Sequence, residues 1–124
     1  MKILIVDDDE LILNLIREEL EDEFPSFDID AQNKSDSAYD LFIEKGHDLI
    51  LTDLKMPGMT GGDLVKKVEK SNKTLPAICV MSGSVNRDLE KVRYQHELFI
   101  LTKPFEIEDI FGLVQKYKNT LDRI

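Results

Sequence analysis

Cysteine is almost absent from this chain. Cys79 is its only one, which excludes an internal disulfide and any metal site built from cysteine pairs. It lies in the apolar run Ala77-Ile78-Cys79-Val80-Met81 and reads as a small buried hydrophobe rather than a reactive thiol. Long apolar runs are missing too. Nothing approaches the ~18 residues that a membrane span requires, and Met1 leads directly into residues 3–6 without a signal-peptide core or cleavage site. These absences predict a cytoplasmic protein with no membrane partner. Basic charge is scarce: 16 lysines and arginines face 25 aspartates and glutamates, a net charge of -9. Such a surface repels a nucleic acid backbone or an anionic membrane.

What remains is the profile of a globular domain, 42% hydrophobic and 33% charged. A chain of 124 residues is long enough for one core and too short for two ordinary domains. No linker, repeat or low-complexity segment divides it, so residues 1–124 read as one domain.

Apolar runs and helical patterns alternate five times along the sequence. Residues 2–7 form a β-branched run suited to a strand buried on both faces. The amphipathic stretch Glu10–Glu23 follows, with Ile12, Leu13, Ile16 and Leu20 inward and Pro25 as its stop. Residues 27–31 suit a more exposed strand. Ser35–Lys45 is a second helix with Ala38, Leu41 and Phe42 inward and Gly46 as its cap. Residues 47–53 make a third strand around Leu49-Ile50-Leu51. Residues 55–62 are dense in turn formers, and Thr60 with Asp63 opens the next helix through a Thr-x-x-Asp cap. That helix buries Leu64, Val65 and Val68. Strands at 76–81 and 98–102 flank a helix at 86–95 with a thin stripe, Leu89 and Val92. A last helix at 106–121 turns Ile107, Ile110, Phe111, Val114 and Tyr117 inward. The expectation is an α/β fold, a doubly wound five-stranded parallel sheet of order 2-1-3-4-5 with helices on both faces.

Ligands of such sheets bind beyond the carboxyl ends of the strands, where strand order reverses. Here those ends carry Asp7-Asp8-Asp9, Asp53, Ser82 and Lys103-Pro104. Singly, each has an ordinary reading: Asp9 as a helix N-cap, Asp53 and Ser82 as turn residues, Lys103-Pro104 as a common dipeptide. Their coincidence at corresponding strand ends is the signal. Clustered carboxylates repel unless a cation compensates, and hard oxygen ligands suit Mg²⁺ or Mn²⁺. A phosphoryl group could approach such a cation flanked by Lys103 and Ser82, since phosphoryl transfer needs mainly positioning and charge neutralisation. Asp53, at the end of a buried run and before a glycine-rich loop, is the candidate nucleophile.

Three segments, Ile3-Leu4-Ile5-Val6-Asp7-Asp8-Asp9, Asp53-Leu54-Lys55-Met56-Pro57-Gly58-Met59-Thr60-Gly61 and Thr102-Lys103-Pro104-Phe105, together resemble the CheY-like receiver domains of two-component response regulators. The resemblance runs through essentially the whole chain. It implies a signalling switch rather than an enzyme. Asp53 would be the phosphoacceptor, charged from a phosphohistidine on a sensor histidine kinase or a histidine phosphotransfer protein. Asp8 would bind the metal directly, Asp7 largely through water, with Asp53 and the main-chain carbonyl of Lys55 completing the protein ligands. Ser82 would hydrogen-bond the phosphoryl oxygen and Lys103 would pair with it. The face built from the 86–95 helix, the fifth strand and the last helix would then change toward a downstream target or output domain. Lys55 and Ser84 sit where the family tunes phosphoryl lifetime.

The chain departs from the family in two places. Members usually carry an aromatic residue three positions before the lysine, as a rotamer switch. Here Ile100 stands there with Phe99 beside it, so either the switch works without an aromatic or Phe99 serves. The segment between Ser82 and Lys103 is also short by about one residue against that pattern, and Gln95-His96-Glu97 replaces the usual Gly-Ala. His47 and His96 read as surface or turn residues. The rival readings are a receiver-like interaction module that never takes phosphate, a haloacid-dehalogenase-type phosphatase and a flavodoxin-like nucleotide binder. The second explains neither Asp53 nor the 55–62 loop, and the third lacks a phosphate loop after the first strand. Nothing at either end of the sequence distinguishes a stand-alone receiver from a piece of a longer regulator.

Overall fold

The first strand, β1 (Lys2–Val6), is apolar at four successive positions, and all four are fully buried. That requires cover on both faces, which the fold supplies. The structure is a computed structural model that describes residues 1–83 and 87–123. Five parallel strands, β1, β2 (Asp28–Gln32), β3 (Leu49–Asp53), β4 (Ala77–Gly83) and β5 (Leu98–Lys103), lie in the order β2-β1-β3-β4-β5. This is the order expected from the sequence.

Alternate strand residues point to opposite faces, and the core divides accordingly. Ile3, Ile5, Leu49, Leu51, Ala77, Cys79 and Met81 pack under α1 (Glu10–Glu23) and α4 (Ile107–Asp122). Leu4, Val6, Ile50, Ile78 and Val80 pack under α2 (Ser35–Lys45) and α3 (Gly61–Glu69). Cys79 is fully buried, and burial pushes its thiol up to about 12, consistent with an inert hydrophobe. Among the described residues no helix is long and apolar enough to cross a membrane.

The helix boundaries follow the caps. Asp9 caps α1 by accepting from the Leu11 and Ile12 amides, Gly46 ends α2 in the left-handed region at φ 68°, and Thr60 with Asp63 forms a reciprocal box at the start of α3. Leu13, Ile16 and Leu20 form the buried line of α1. Ile12 was expected with them but sits at the margin, because at 100° per residue it lies off the axis of that line. Leu11 and Leu15 are more exposed still, at 84% and 57%.

Two further expectations need correction. The predicted helix at 86–95 is no α-helix: it is a 3₁₀ turn, Arg87–Lys91, and Asn86, like Ser84, lies outside the described residues. Its apolar residues, Leu89 and Val92, are three apart and half-buried against α3's side of the core, and i, i+3 spacing is the 3₁₀ repeat. One pair of apolar residues cannot anchor further turns. His47 is buried rather than a surface residue. Its ring is fully enclosed, and Nε2 lies 2.8 Å from Asp30 Oδ2, which also accepts from Lys45 Nζ at 2.7 Å. Asp30 stands on β2, far away in sequence, and it is this partner that lets a histidine be buried.

Candidate functional site

Asp7 follows β1, Asp53 ends β3, Ser82 is next to last in β4 and Lys103 ends β5. Parallel pairing in register, Asp53 beside Met81 and Gly83 beside Lys103, brings these four tips to one edge of the sheet. One carboxylate oxygen each from Asp7, Asp8 and Asp53 lies within 4.8 Å of the others. Lys103 Nζ is 3.5 Å from Asp53 Oδ2, and Lys103 joins Pro104 through a cis peptide bond. The predicted residues Asp7, Asp8, Asp53 and Lys103 therefore meet.

Each acid has a different environment. Asp9 is engaged as the α1 cap, so it is not free for the cluster. Its amide donates to Asp7 Oδ1 at 2.9 Å, while Asp7 Oδ2 is buried without a hydrogen-bond partner among the described residues. Burial pushes the Asp7 carboxyl above the usual carboxylate range; the Asp9 amide pulls it down, and the nearby Asp53 charge pushes it further up. Asp8 is exposed and Asp53 is nearly buried. The Lys55 amide approaches Asp53 Oδ1 at 3.5 Å, too long for more than a weak bond. An orphaned carboxylate oxygen beside two further acids is the donor set of a small, hard divalent cation; these residues fit one.

Ser82 is buried, with its hydroxyl turned onto its neighbour, the Gly83 carbonyl, at 3.2 Å. Of the two switch candidates, Phe99 is turned into the core, edge-to-face on Tyr117 with ring centroids 6.3 Å apart. Ile100 is the outward one, 49% exposed. His96 is exposed, as expected, and remote from the acids on the sequence side of β5 where the strand begins.

Sequence reasoning missed one constraint on the site. The Gly61 amide donates to Leu54 O at 2.9 Å, drawing the start of α3 against the residues that follow β3. A Cβ at position 61 would sit 2.8 Å from Leu54 Cα and closer still to the Asp53 carbonyl. Only glycine lets the helix approach the backbone of Asp53 so closely. The available signal was the glycine pair after Thr60, which the sequence offers equally as an ordinary loop.

The sequence model of the response regulator receiver domain matches residues 3–115. The chain is 33% identical over 120 residues to sporulation initiation phosphotransferase F of Bacillus subtilis, covering 94% of this chain and 92% of that protein. It is 30% identical over 128 residues to response regulator ArlR of Staphylococcus saprophyticus; there the match covers 98% of this chain but only 56% of the regulator's length. Among solved structures, a two component transcriptional regulator AraC from Clostridium phytofermentans superposes with a TM-score of 0.82 at 27% identity, covering 99% of this chain and 95% of that one. Family resemblance of this extent, carried on a sheet of this strand order, makes the chain a member of the response regulator receiver domains of two-component systems.

Proposed function

We propose that this receiver is a phosphorylatable switch acting in the cytoplasm, with Asp53 as phosphoacceptor and a phosphohistidine of a sensor histidine kinase or histidine phosphotransfer protein as donor. The observation that carries this reading is the meeting of Asp53, Lys103, Asp7 and Asp8 at one sheet edge. Asp7, Asp8, Asp53 and the Lys55 carbonyl would hold Mg²⁺, or Mn²⁺ in its place. When bound, the cation neutralises the charge on the incoming phosphoryl oxygens.

An Asp53 oxygen attacks phosphorus as the phosphorus–nitrogen bond to the donor imidazole breaks; the electron pair leaves with the nitrogen, which takes a proton from water. Lys103, already beside Asp53, pairs with the new charge and helps orient the group. The Ser82 hydroxyl leaves the Gly83 carbonyl for a phosphoryl oxygen. Charge-assisted hydrogen bonds contribute about 1.5–3 kcal/mol each, so two of them shift a two-state surface by more than tenfold. The surface they move is the 3₁₀ turn, β5 and α4, where Ile100 stands outward and a downstream protein or output domain would read the change. Each domain takes up one phosphoryl group as a signal rather than turning over substrate.

The donor meets α1 and the loop after β5 in this reading. Exposed Leu11 and Leu15 in the first half of α1, the helix that follows Asp7 and Asp8, support it, because apolar side chains left on such a helix suit a partner's surface. Leu15→Glu is expected to slow transfer from a cognate phosphohistidine donor at least tenfold, about 1.4 kcal/mol, while leaving phosphorylation by acetyl phosphate unchanged. Equal rates from both donors would remove α1 from the docking surface.

The test of the switch itself is intact mass after incubation with Mg²⁺ and acetyl phosphate. A single phosphoryl adduct is expected on the wild type, absent when Mg²⁺ is chelated and absent from Asp53→Asn. No adduct on a folded wild type would instead favour the phosphate-independent interaction module.

A further inference from the structure

The chain is strongly acidic, yet one cleft in it is lined by cations. It lies between the first half of α3 and the strip of chain that follows the 3₁₀ turn, with a volume of about 250 Å³. Leu54, Gly62 and Val92 line its apolar part, and Lys55, Lys66 and Arg93 stand around it with Lys91. Among the described residues no carboxylate pairs with Lys55, Lys66 or Arg93; the Arg93 guanidinium bonds only main-chain carbonyls, those of Glu90 and Val92. The single acid in the lining, Asp63, has a carboxylate oxygen already accepting from the Thr60 amide in the α3 cap.

The cleft has a reason to exist. A full α-helix at 86–95 would lay its side chains along α3, whereas the 3₁₀ turn ends at Lys91 and leaves an irregular strip. The strip is fastened at the far end of α3, where the Gln95 amide donates to Glu69 Oε2 at 2.6 Å and the Tyr94 hydroxyl to the Pro76 carbonyl. The fastened end sits by the start of β4, and the open end by Lys55, two residues past Asp53. Glu69 is thereby engaged by the backbone of the strip, at the end of α3 away from the cleft.

We propose that this cleft docks a short acidic segment of a partner protein carrying one apolar side chain. The charge pattern selects the occupant. Three uncompensated cations around an apolar floor match carboxylates flanking an apolar residue. The net charge of -9 on the whole chain turns away a dense polyanion such as nucleic acid. Flexible lysines without a converging set of main-chain amides make a poor phosphate cradle and a good adaptable rim. This site is separate from the surface formed by β5 and α4. It is present without a phosphoryl group on Asp53, although Lys91 belongs to the 3₁₀ turn that phosphorylation would move.

The test uses unphosphorylated protein and a short fluorescein-labelled peptide of glutamate and aspartate around one phenylalanine, followed by fluorescence anisotropy at low and physiological salt. Saturable binding is expected, weakened about tenfold by Lys66→Glu and by Arg93→Glu, as for a charge reversed within an interface. Lys116→Glu, on α4 away from the cleft, should leave binding within twofold, and a peptide with serine in place of phenylalanine should bind several-fold more weakly. Both cleft substitutions are at exposed positions, and circular dichroism checks that they fold. Absence of binding overturns the proposal. Equal weakening by Lys116→Glu overturns it in favour of diffuse attraction. Full displacement by inorganic phosphate, together with indifference to the phenylalanine, overturns it in favour of a small-anion site.

Discussion

Replacing Asp7 by asparagine is expected to raise the thermal midpoint of the metal-free protein by several degrees and to remove most of the further rise that Mg²⁺ gives the wild type. The reason is the orphaned Oδ2. Asp7 is buried, one oxygen is held by the Asp9 amide, and the other faces Asp8 and Asp53 without a donor. Asparagine keeps the acceptor for Asp9 and puts an NH₂ where the unpaired oxygen was. Relief of a buried unsatisfied group is worth about 1–3 kcal/mol, and roughly 3–6 °C follows from each kcal/mol in a chain of this size. The pH dependence has a definite sign. The Asp7 carboxyl is raised in the fold, by burial first, so metal-free wild type loses stability as pH climbs from the ordinary aspartate range through the raised value. The variant lacks that loss. A divalent cation would act unequally on the two proteins: it would stabilise the wild type by mass action, about 2.7 kcal/mol at a hundred times its dissociation constant, and would have a ligand fewer in the variant. Scanning fluorimetry with chelator, then with Mg²⁺, separates these arms. A variant that melts lower without metal, or that keeps the full Mg²⁺ shift, would refute this account of the acid cluster.

At the other end of the sheet, Asp30→Ala is expected to destabilise the fold by about 1–3 kcal/mol, the cost of leaving a buried donor unmade. His47 Nε2 would lose its partner while Nδ1 already has none among the described residues. Asp28→Ala, although Asp28 also pairs with Lys45 at 3.0 Å, should stay within about 0.5 kcal/mol because that carboxylate is half-exposed. Urea denaturation of the two variants gives the contrast directly, and equal losses would mean that Lys45, not His47, is what Asp30 supports. Here the pH trend reverses that of Asp7. Burial pushes the Asp30 carboxyl up, but the hydrogen bonds from Lys45 and His47 outweigh it and hold it below the usual range. Its contribution is therefore complete above the ordinary aspartate value and is lost as pH falls through the depressed one. Mild acid thus relieves one end of the molecule, and stronger acid undoes the other.

These two clusters differ in how far the sequence disclosed them. Asp7, Asp53, Ser82 and Lys103 could be brought together on paper because each ends an apolar run, and a parallel sheet gathers all such ends on one side. The burial of β1 and β3 was legible for the same reason, continuous apolar residues needing cover on both faces. Asp30 and His47 offered no such rule. β2 alternates weakly, and nothing in the spacing of an acid and a histidine 17 apart tells that they meet. Leu89 and Val92 satisfy helical and 3₁₀ spacing alike, so their spacing does not separate an α-helix at 86–95 from the shorter turn, and packing decides. Ile12 was placed inward by hydrophobicity when only its angle from Leu13, Ile16 and Leu20 could decide.

The register of β5 has a wider consequence. Ser82 pairs with Thr102 and Gly83 with Lys103, so β4 and β5 stay in register to their carboxyl ends. β3 is bonded on both sides, β5 on one, and its approach is a turn of poor hydrogen-bond geometry. Backbone protection is therefore expected to be deeper at the inner strand that holds Asp53 than at the two edge strands, β2 and β5, the second of which carries Ile100. In the proposed switch the phosphoryl group would thus be held on an inner strand, and the face to be read would lie on an edge strand.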